Sequence, residues 1–596
     1  MTIDLFAPPN GAHGGAHGAL PSMVQVRRSD PVYMAHAYLT KVPVTAIAPF
    51  IEAFTEPGDV VLDPFAGSGM TGIAALVTGR RAVLYDVSVL GRHIGSNYVN
   101  LVDPKMLDER GAVVVRRALE RIGDVYAVTC ESCGGEARLA KSVWSAVIEC
   151  GACRAPVNYY HCLEGADWRR ERMTCPHCGA AASSRCKRLF EEPVLDSITC
   201  ECRRTQLEQP WSASPNQPEA ADLRWPDASI DATRQMYAAS ALGRHGLTST
   251  AAFYSHRNLC ALAALRDAIG DVPEPELRAK LLFVFTSILT RASKRYQWSR
   301  KRPLNAANAN YYVAPVFYEW NVFDLFARKV QAAIRSDDWI RCRRGAASVR
   351  DCARGSDVAY EIASADGLPL ADDSVDYVFT DPPFGSNIFY SDMSLFQEAW
   401  LDATTDPGAE AVVDRADTGG PRRTAERYEA ILTGALEECR RVLKPGGHIT
   451  LLFGNSSGAM WQLLQRAVGA AGLEVAPELI AVLDKGQRSV KGLASGFENV
   501  ATLDLMLTLR SASRPSGPVQ PPPVTAVKNL VNGLLASDAA MSPSRLYVAL
   551  LRHGIANRWD LSQLDLRGVT AQLRAADFTI DRRSAEVVQL PQRRRL

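Results

Sequence analysis

Val60-Val61-Leu62-Asp63-Pro64-Phe65-Ala66-Gly67-Ser68-Gly69 is the stretch that decides the fold. Its apolar start follows the turn Glu56-Pro57-Gly58-Asp59 and reads as a short buried strand. A glycine-rich loop comes next, then a helix over 71–79 that Gly79 can close. A second strand, Ala82-Val83-Leu84-Tyr85, delivers Asp86. Strand, glycine loop, helix, strand and acid make half of a dinucleotide-type α/β unit. Upstream, residues 44–55 have helical periodicity. The pattern stops near 104 and returns near 357. There Asp376–Thr380 reads as a strand that delivers Asp381-Pro382-Pro383-Phe384. ALEECRRVLKPGG reads as a helix ending in a glycine turn, and His448–Phe453 as the next strand. A helix over 460–471 and strands near 473–483 and 499–509 complete the set. The α/β unit is therefore discontinuous, with residues 105–344 inserted into it.

A chain of 596 residues should fold as several domains. The reading divides it into a disordered Gly-, His- and Pro-rich tail (1–29), a first core part (30–104) and a cysteine-rich insertion (105–204). A mostly helical insertion (205–344) and a second core part (345–510) follow. A Pro-rich linker (511–523) then leads to a small helical C-terminal domain (524–596). His13 and His17 read as part of the solvated tail rather than as metal ligands. No run reaches the roughly 18 apolar residues of a membrane span, and the first residues lack a secretory pattern. The expected location is the cytoplasm, with no membrane association. Net charge is only +2, so any nucleic-acid surface must be a local patch.

Ten of the 14 cysteines lie between Cys130 and Cys202. In a cytoplasmic protein this clustering points to metal rather than to disulfides. Cys130-x2-Cys133 and Cys150-x2-Cys153 have ribbon spacing and imply one tetrahedral structural zinc. Cys175-x2-Cys178 with Cys200-x-Cys202 suggests a second site. Cys162, Cys186, His161 and His177 leave that second ligand set open. Downstream, Arg291 to Arg302 holds six basic residues, two aromatics and no acid. Interleaving of this kind suits a phosphate backbone and exposed bases, which makes Lys294, Arg295, Arg300 and Arg302 candidate DNA contacts. A solvated helical face is the alternative. Tyr311, Tyr312 and Trp320 read as core.

DPFAGSGMTG and DPPF resemble the donor-binding and catalytic motifs of the DNA amino-methyltransferases that use S-adenosylmethionine. DPPFGSNIFYSDMSLFQEAWL and the cysteines are similar to adenine-specific DNA methylases with a zinc ribbon. The resemblance covers about 30–104 and 345–510 and implies a Rossmann-like class I methyltransferase sheet. It assigns donor binding to Asp63, Phe65, Ala66, Gly67, Gly69 and Asp86, with Asp86 on the ribose hydroxyls. His36–Pro43 resembles the segment over the donor's methionine end, through Tyr38 and Thr40. Asp366-Gly367-Leu368-Pro369 resembles the adenine loop, through Asp366 and Leu368. Asp381, Pro382, Pro383 and Phe384 would hold the acceptor amine of a flipped-out base, with Phe384 stacked on its ring. Met70 stands where Thr is common.

The resemblance favours adenine N6 as the methylated atom. Cytosine N4, guanine N2 of RNA, and a non-catalytic zinc-containing DNA-binding subunit are the alternatives. A role in restriction–modification or phage defence, with protein partners, is what the family suggests.

Overall fold

The computed structural model describes residues 20–25, 30–211, 222–240, 242–300, 311–347, 357–419, 422–484, 503–513 and 519–523. Nearer the C-terminus it describes 529–530, 533, 543–566, 568, 578–580 and 587–589. Most of the 1–29 tail, with His13 and His17, lies outside these residues, as do Lys301, Arg302 and much of 514–596. In chain order the first strands are β1 (Met23–Gln25), β2 (Val60–Asp63) and β3 (Arg81–Asp86). The insertion contributes β4 (Ala127–Thr129), β5 (Glu136–Glu149), β6 (Pro156–Asn158), β7 (Arg188–Thr199), β8 (Leu207–Pro210) and β9 (Val316–Trp320). β10 (Val358–Ile362), β11 (Val375–Thr380), β12 (Leu443–Phe453), β13 (Leu473–Val475), β14 (Ala481–Asp484) and β15 (Leu503–Ser511) follow.

The main sheet runs β1-β14-β15-β12-β11-β2-β3-β10, with β13 also on β15. β10, β3, β2, β11 and β12 are mutually parallel, and β15 is antiparallel to β12 and β14. Val61, Leu62, Val378 and Phe379 are buried because helices cover both faces, which is why these strands read as unbroken apolar runs. Helices Val44–Phe54, Met70–Val77 and Val89–Val99 cover one face through Ile47, Ile73 and Ile94. Helices Ala425–Val442 and Gly458–Ala470 cover the other through Leu432 and Leu464. The chain moves outward from β2 through β3 to β10, then returns to the other side of β2 with β11. That reversal opens a crevice beyond the carboxyl ends of β2 and β11, where ligands bind in such sheets.

Several expectations need correction. The helix over ALEECRRVLKPGG stops at Val442, and Leu443–Gly447 already belong to β12. Pro445 has no N–H for a helix and disfavours helical backbone at Lys444. Gly446, at φ +81°, takes up the slip in register between Val375/Leu443 and Tyr377/His448. Residues 205–344 are not simply helical, since β8 pairs with β7 and β9 with β5. A boundary at 204 would cut that six-stranded sheet, and one at 344 would cut helix Val322–Ala347.

The C-terminal segment is not held apart by its linker either. Leu546, Leu550, Trp559 and Leu561 join the core around Trp461, Leu464 and Leu507. The segment also contains a hairpin of β16 (Phe578–Ile580) and β17 (Val587–Gln589). Tyr311 and Trp320 are buried, but Tyr312 is 40% exposed.

The insertion is tied to the core, where Lys280 Nζ donates to Asn97 O at 2.6 Å. Asp103 starts helix Pro104–Ile122 by accepting from Met106 N, with Pro104 in the first turn. Helices Pro275–Ala292 and Val322–Ala347 are joined by a buried Lys280–Asp337 pair at 2.8 Å. Among the described residues no helix is long and apolar enough to cross a membrane.

Candidate active site and cysteine clusters

The crevice at the ends of β2 and β11 is a cleft of about 940 Å³, counted out to its mouth. Tyr38, Thr40, Asp63, Phe65, Ala66, Gly67, Asp86, Asp381 and Pro383 all line it. Asp63 closes the floor. Its Oδ1 accepts from Phe65 N (3.1 Å) and from Thr380 Oγ1 (2.9 Å), and its Oδ2 from Thr71 Oγ1 (2.6 Å). Thr380 immediately precedes Asp381, so one carboxylate ties the glycine loop to the DPPF segment across neighbouring strands. These three donors hold Asp63 in place while it still lines the cleft.

Burial raises the Asp63 pKa to about 7, against the lowering effect of those hydrogen bonds. The native state then holds a proton that the unfolded chain, with a carboxyl near 3.8, has lost. Stability from this group is present below about pH 4 and falls away as pH rises to about 7. Asp63→Asn should therefore flatten that part of the stability–pH curve, whatever it does to absolute stability. Thermal unfolding of parent and variant across pH 4–8 checks it; parallel curves would refute it.

Asp86 ends β3 and accepts from Gly67 N and Ser88 N, both at 2.8 Å. Its two oxygens keep lone pairs for further donors, and burial raises its pKa. Gly67 has φ +48°, and a Cβ there would lie 3.2 Å from the Tyr38 ring. Tyr38 stacks on Tyr390 at 6.3 Å between ring centroids, and Thr40 Oγ1 lies 3.1 Å from Tyr390 Oη. The His36–Pro43 segment thus crosses the cleft and meets the residues that follow DPPF.

Gly69 does not line the cleft. At φ +76°, its missing Cβ would lie 2.7 Å from Gly95 Cα, so it lets helix Val89–Val99 approach. Gly69→Ala should destabilise the fold by more than about 1 kcal/mol through left-handed strain and this clash. A Tm within error of the parent's would contradict that. Asp366 is exposed and accepts from Ser364 Oγ, while Leu368 is buried and donates its N–H to Glu438. Neither faces the cleft; Ala363, Ser364 and Ala365 do.

In the DPPF segment, Tyr428 Oη donates to Pro383 O (2.5 Å) and Asn455 Nδ2 to Phe384 O (2.9 Å). These bonds fix the turn. Among the described residues no hydrogen bond falls on the Pro382 carbonyl. Phe384 packs edge-on against Phe453 at 5.1 Å instead of presenting its ring to the cleft. Glu410 was not singled out in the sequence. It is 3% exposed, lines the cleft, and accepts from Ser391 Oγ (2.7 Å), Arg423 Nη1 (2.8 Å) and Tyr390 N. No local pattern marks it, because its partners come from two separate segments.

The eight knuckle cysteines form two groups, Cys130/Cys133/Cys200/Cys202 and Cys150/Cys153/Cys175/Cys178. This corrects the expected pairing of Cys130/Cys133 with Cys150/Cys153. β5 and β7 are antiparallel, with Arg138 opposite Thr199 and Ile148 opposite Arg188. The knuckle before β5 therefore meets the one after β7, and the knuckle after β5 meets the one before β7. Sγ–Sγ separations are 3.6 and 3.8 Å for two close pairs in the first group and 3.7 Å for two in the second, with all four sulfurs of each group within 4.8 Å of one another. Four sulfurs at about 2.3 Å around a tetrahedral zinc would be about 3.8 Å apart, so both sets fit the ion. Cys162, Cys186, His161 and His177 belong to neither group.

The described part of the basic segment, 291–300, is largely turned inward, contrary to the DNA-contact expectation for Lys294 and Arg295. Arg295 is 3% exposed, lies 4.7 Å from the Phe396 ring centroid, and borders a side chamber with Tyr38 and Tyr390. Lys294 pairs with Glu191 at 2.8 Å, and Arg291 lies over Trp320. The interleaved aromatics are core, and they draw the cations in with them. Arg300 is exposed and sits over Trp168.

Residues 19–97 match the N6_N4_Mtase family, described as DNA methylase. The protein named "Putative methylase YubD" of Escherichia coli (strain K12) is 59% identical over 44 residues, covering 7% of this chain and 19% of that protein. Type II methyltransferase M.XycI of Xanthomonas campestris pv. cyanopsidis is 36% identical over 80 residues, covering 13% and 24%. The alignments thus span less than a quarter of either relative. An S-adenosylmethionine dependent methyltransferase from Mesorhizobium loti overlaps 29% of this chain and 76% of its own, at 12% identity and a TM-score of 0.14. The chain carries a DNA-methylase-type segment, and that segment holds the glycine loop and Asp86 of the cleft.

Proposed function

We propose that this protein transfers a methyl group from S-adenosylmethionine to an exocyclic amino group of a DNA base, adenine N6 in the first instance. The observation that carries the reading is the Asp63–Thr380 bond. It sets the glycine loop and Asp381 at adjacent strand ends over a single cleft. Gly67, Asp86, Tyr38 and Thr40 would hold the donor, and the missing side chain at Gly67 lets the Tyr38 ring close down over the loop that would carry it. Bound S-adenosylmethionine supplies an electrophilic methyl on a positive sulfonium.

The chain's own groups address the acceptor. The Asp381 carboxylate and the Pro382 carbonyl are both acceptors, and Pro383 has no N–H to compete with the amine. Hydrogen bonds from the two amino protons to them would draw the nitrogen away from conjugation and free its lone pair. The base must leave the duplex to reach them. Phe384 packs behind this pocket, against Phe453, rather than offering an open stacking face. Zinc at the two cysteine groups is assigned a structural role, because neither group borders the cleft.

Expression in a host free of DNA methylation, followed by sequencing with base-modification detection, tests the reading. A single methylated motif at adenine is the expected result. Methylated cytosine would move the target atom to N4, and unmodified DNA from a folded, donor-binding protein would overturn the proposal.

A further inference from the structure

We propose that the knuckle around Cys175 and Cys178, with the loop before it, is the surface that grips the DNA backbone while a base occupies the cleft. This rests on the DNA-methylase reading above. The two cysteine groups sit at opposite ends of the β5–β7 hairpin, about 30 Å apart for nine intervening residues. Their charges differ. Residues 167–188 contain six Arg or Lys and two acids, Asp167 and Glu171, and the group's other knuckle, 149–155, adds Glu149 and Arg154. The other group's knuckles, 130–136 and 200–204, contain Glu131, Glu136 and Glu201 against Arg203 and Arg204. Four thiolates around a divalent zinc carry a net charge of −2 at either end. Arginines placed only to offset that charge would be needed at both ends, yet they are concentrated at one.

Arg169, Arg170, Arg172 and Lys187 are exposed, and among the described residues none has an acidic partner within ion-pair distance. Exposed Arg300 joins them across Trp168 at 5.6 Å, and Phe190, 54% exposed, offers an aromatic on the adjoining strand. Uncompensated cations around exposed aromatics fit phosphates and sugars better than a solvated face.

The patch also lies within reach of the cleft. Arg295 borders the chamber beside Tyr38 and Tyr390, and five residues later Arg300 meets Trp168. Five residues span at most about 18 Å, roughly half of one helical turn of duplex. On that scale a duplex with a base flipped into the cleft is long enough to reach the patch.

The test is a salt titration of binding to a short DNA duplex by the full chain. It compares the parent with R169Q/R170Q/R172Q, with R300Q, and with R203Q/R204Q at the opposite end. Three lost phosphate contacts should reduce the slope of log K against log salt by about 2.7, and R300Q by about 0.9. R203Q/R204Q should leave it unchanged, and zinc content and S-adenosylmethionine affinity should stay at parental values. If the triple variant loses zinc, R300Q decides alone. An unchanged slope while the parent binds DNA, or an equal loss in R203Q/R204Q, would overturn the surface assignment only. A parent with no affinity for DNA, or with preference for an RNA duplex, would overturn the functional reading and this surface with it.

Discussion

Asp381→Ala is expected to lower methyl transfer by at least about 10²-fold while S-adenosylmethionine binds within a few-fold of parental affinity. Removing a single group aimed at the reacting atoms commonly costs this much, because the acceptor nitrogen is no longer held in line. Donor binding should survive because Gly67, Asp86 and Tyr38 stand on the loop after β2, on β3 and on the segment before them, and Asp63 keeps its bonds to Thr71 and Thr380. Asp381→Asn keeps one acceptor oxygen and should retain more activity than the alanine variant. Calorimetry for the donor and single-turnover methylation of duplex DNA separate the two quantities. Donor affinity lost along with activity in a folded variant would mean that Asp381 belongs to the donor side of the cleft.

The second large effect concerns metal. Protein purified without added metal is expected to carry two zinc ions per chain. Cys130→Ser and Cys200→Ser should each lose one ion, and the double variant should lose no more than either. Cys130→Ser with Cys150→Ser should lose both. Pairing by order in the sequence makes the reverse forecast, so elemental analysis of these four proteins discriminates between the two. Stripping both ions should unravel the ends of β5 and β7, since a structural zinc commonly supplies about 10–16 kcal/mol of apparent binding free energy to such a site. A metal-free chain with an intact insertion would refute the assignment.

The sheet was legible where one segment carried its own signal. Val60–Asp63, the glycine loop and Asp86 announce a strand, turn and acid within 27 residues. The apolar run before Asp381 gives β11 in the same way. What was not legible depended on partners distant in sequence. The cysteine spacing named all eight members of the two groups, but their pairing follows from the antiparallel run of β5 and β7. Neither strand shows its partner in its own residues. Arg295 reads as a surface cation until Phe396 is brought against it from a hundred residues away. β9 is a five-residue run of strand-favouring residues, VFYEW, lost between long helical stretches, and it pairs with β5 more than 170 positions upstream. Glu410 needed Arg423 and Ser391 from separate segments before its burial made sense.

The nested arrangement of the cysteine groups bears on the order in which the insertion assembles. The inner group closes a loop of 22 residues between Cys153 and Cys175, and the outer one a loop of 67 between Cys133 and Cys200. Closing the longer loop first would cost about 1 kcal/mol more chain entropy. Once the inner ion is bound, however, β5 and β7 leave it already side by side. Each further pair of residues then shortens the gap the outer cysteines must bridge. Assembly should therefore run outward from the inner knot like a zip, with the basic end of the hairpin set before the acidic one. A chain emerging N-terminus first exposes the four inner cysteines before the outer set is complete.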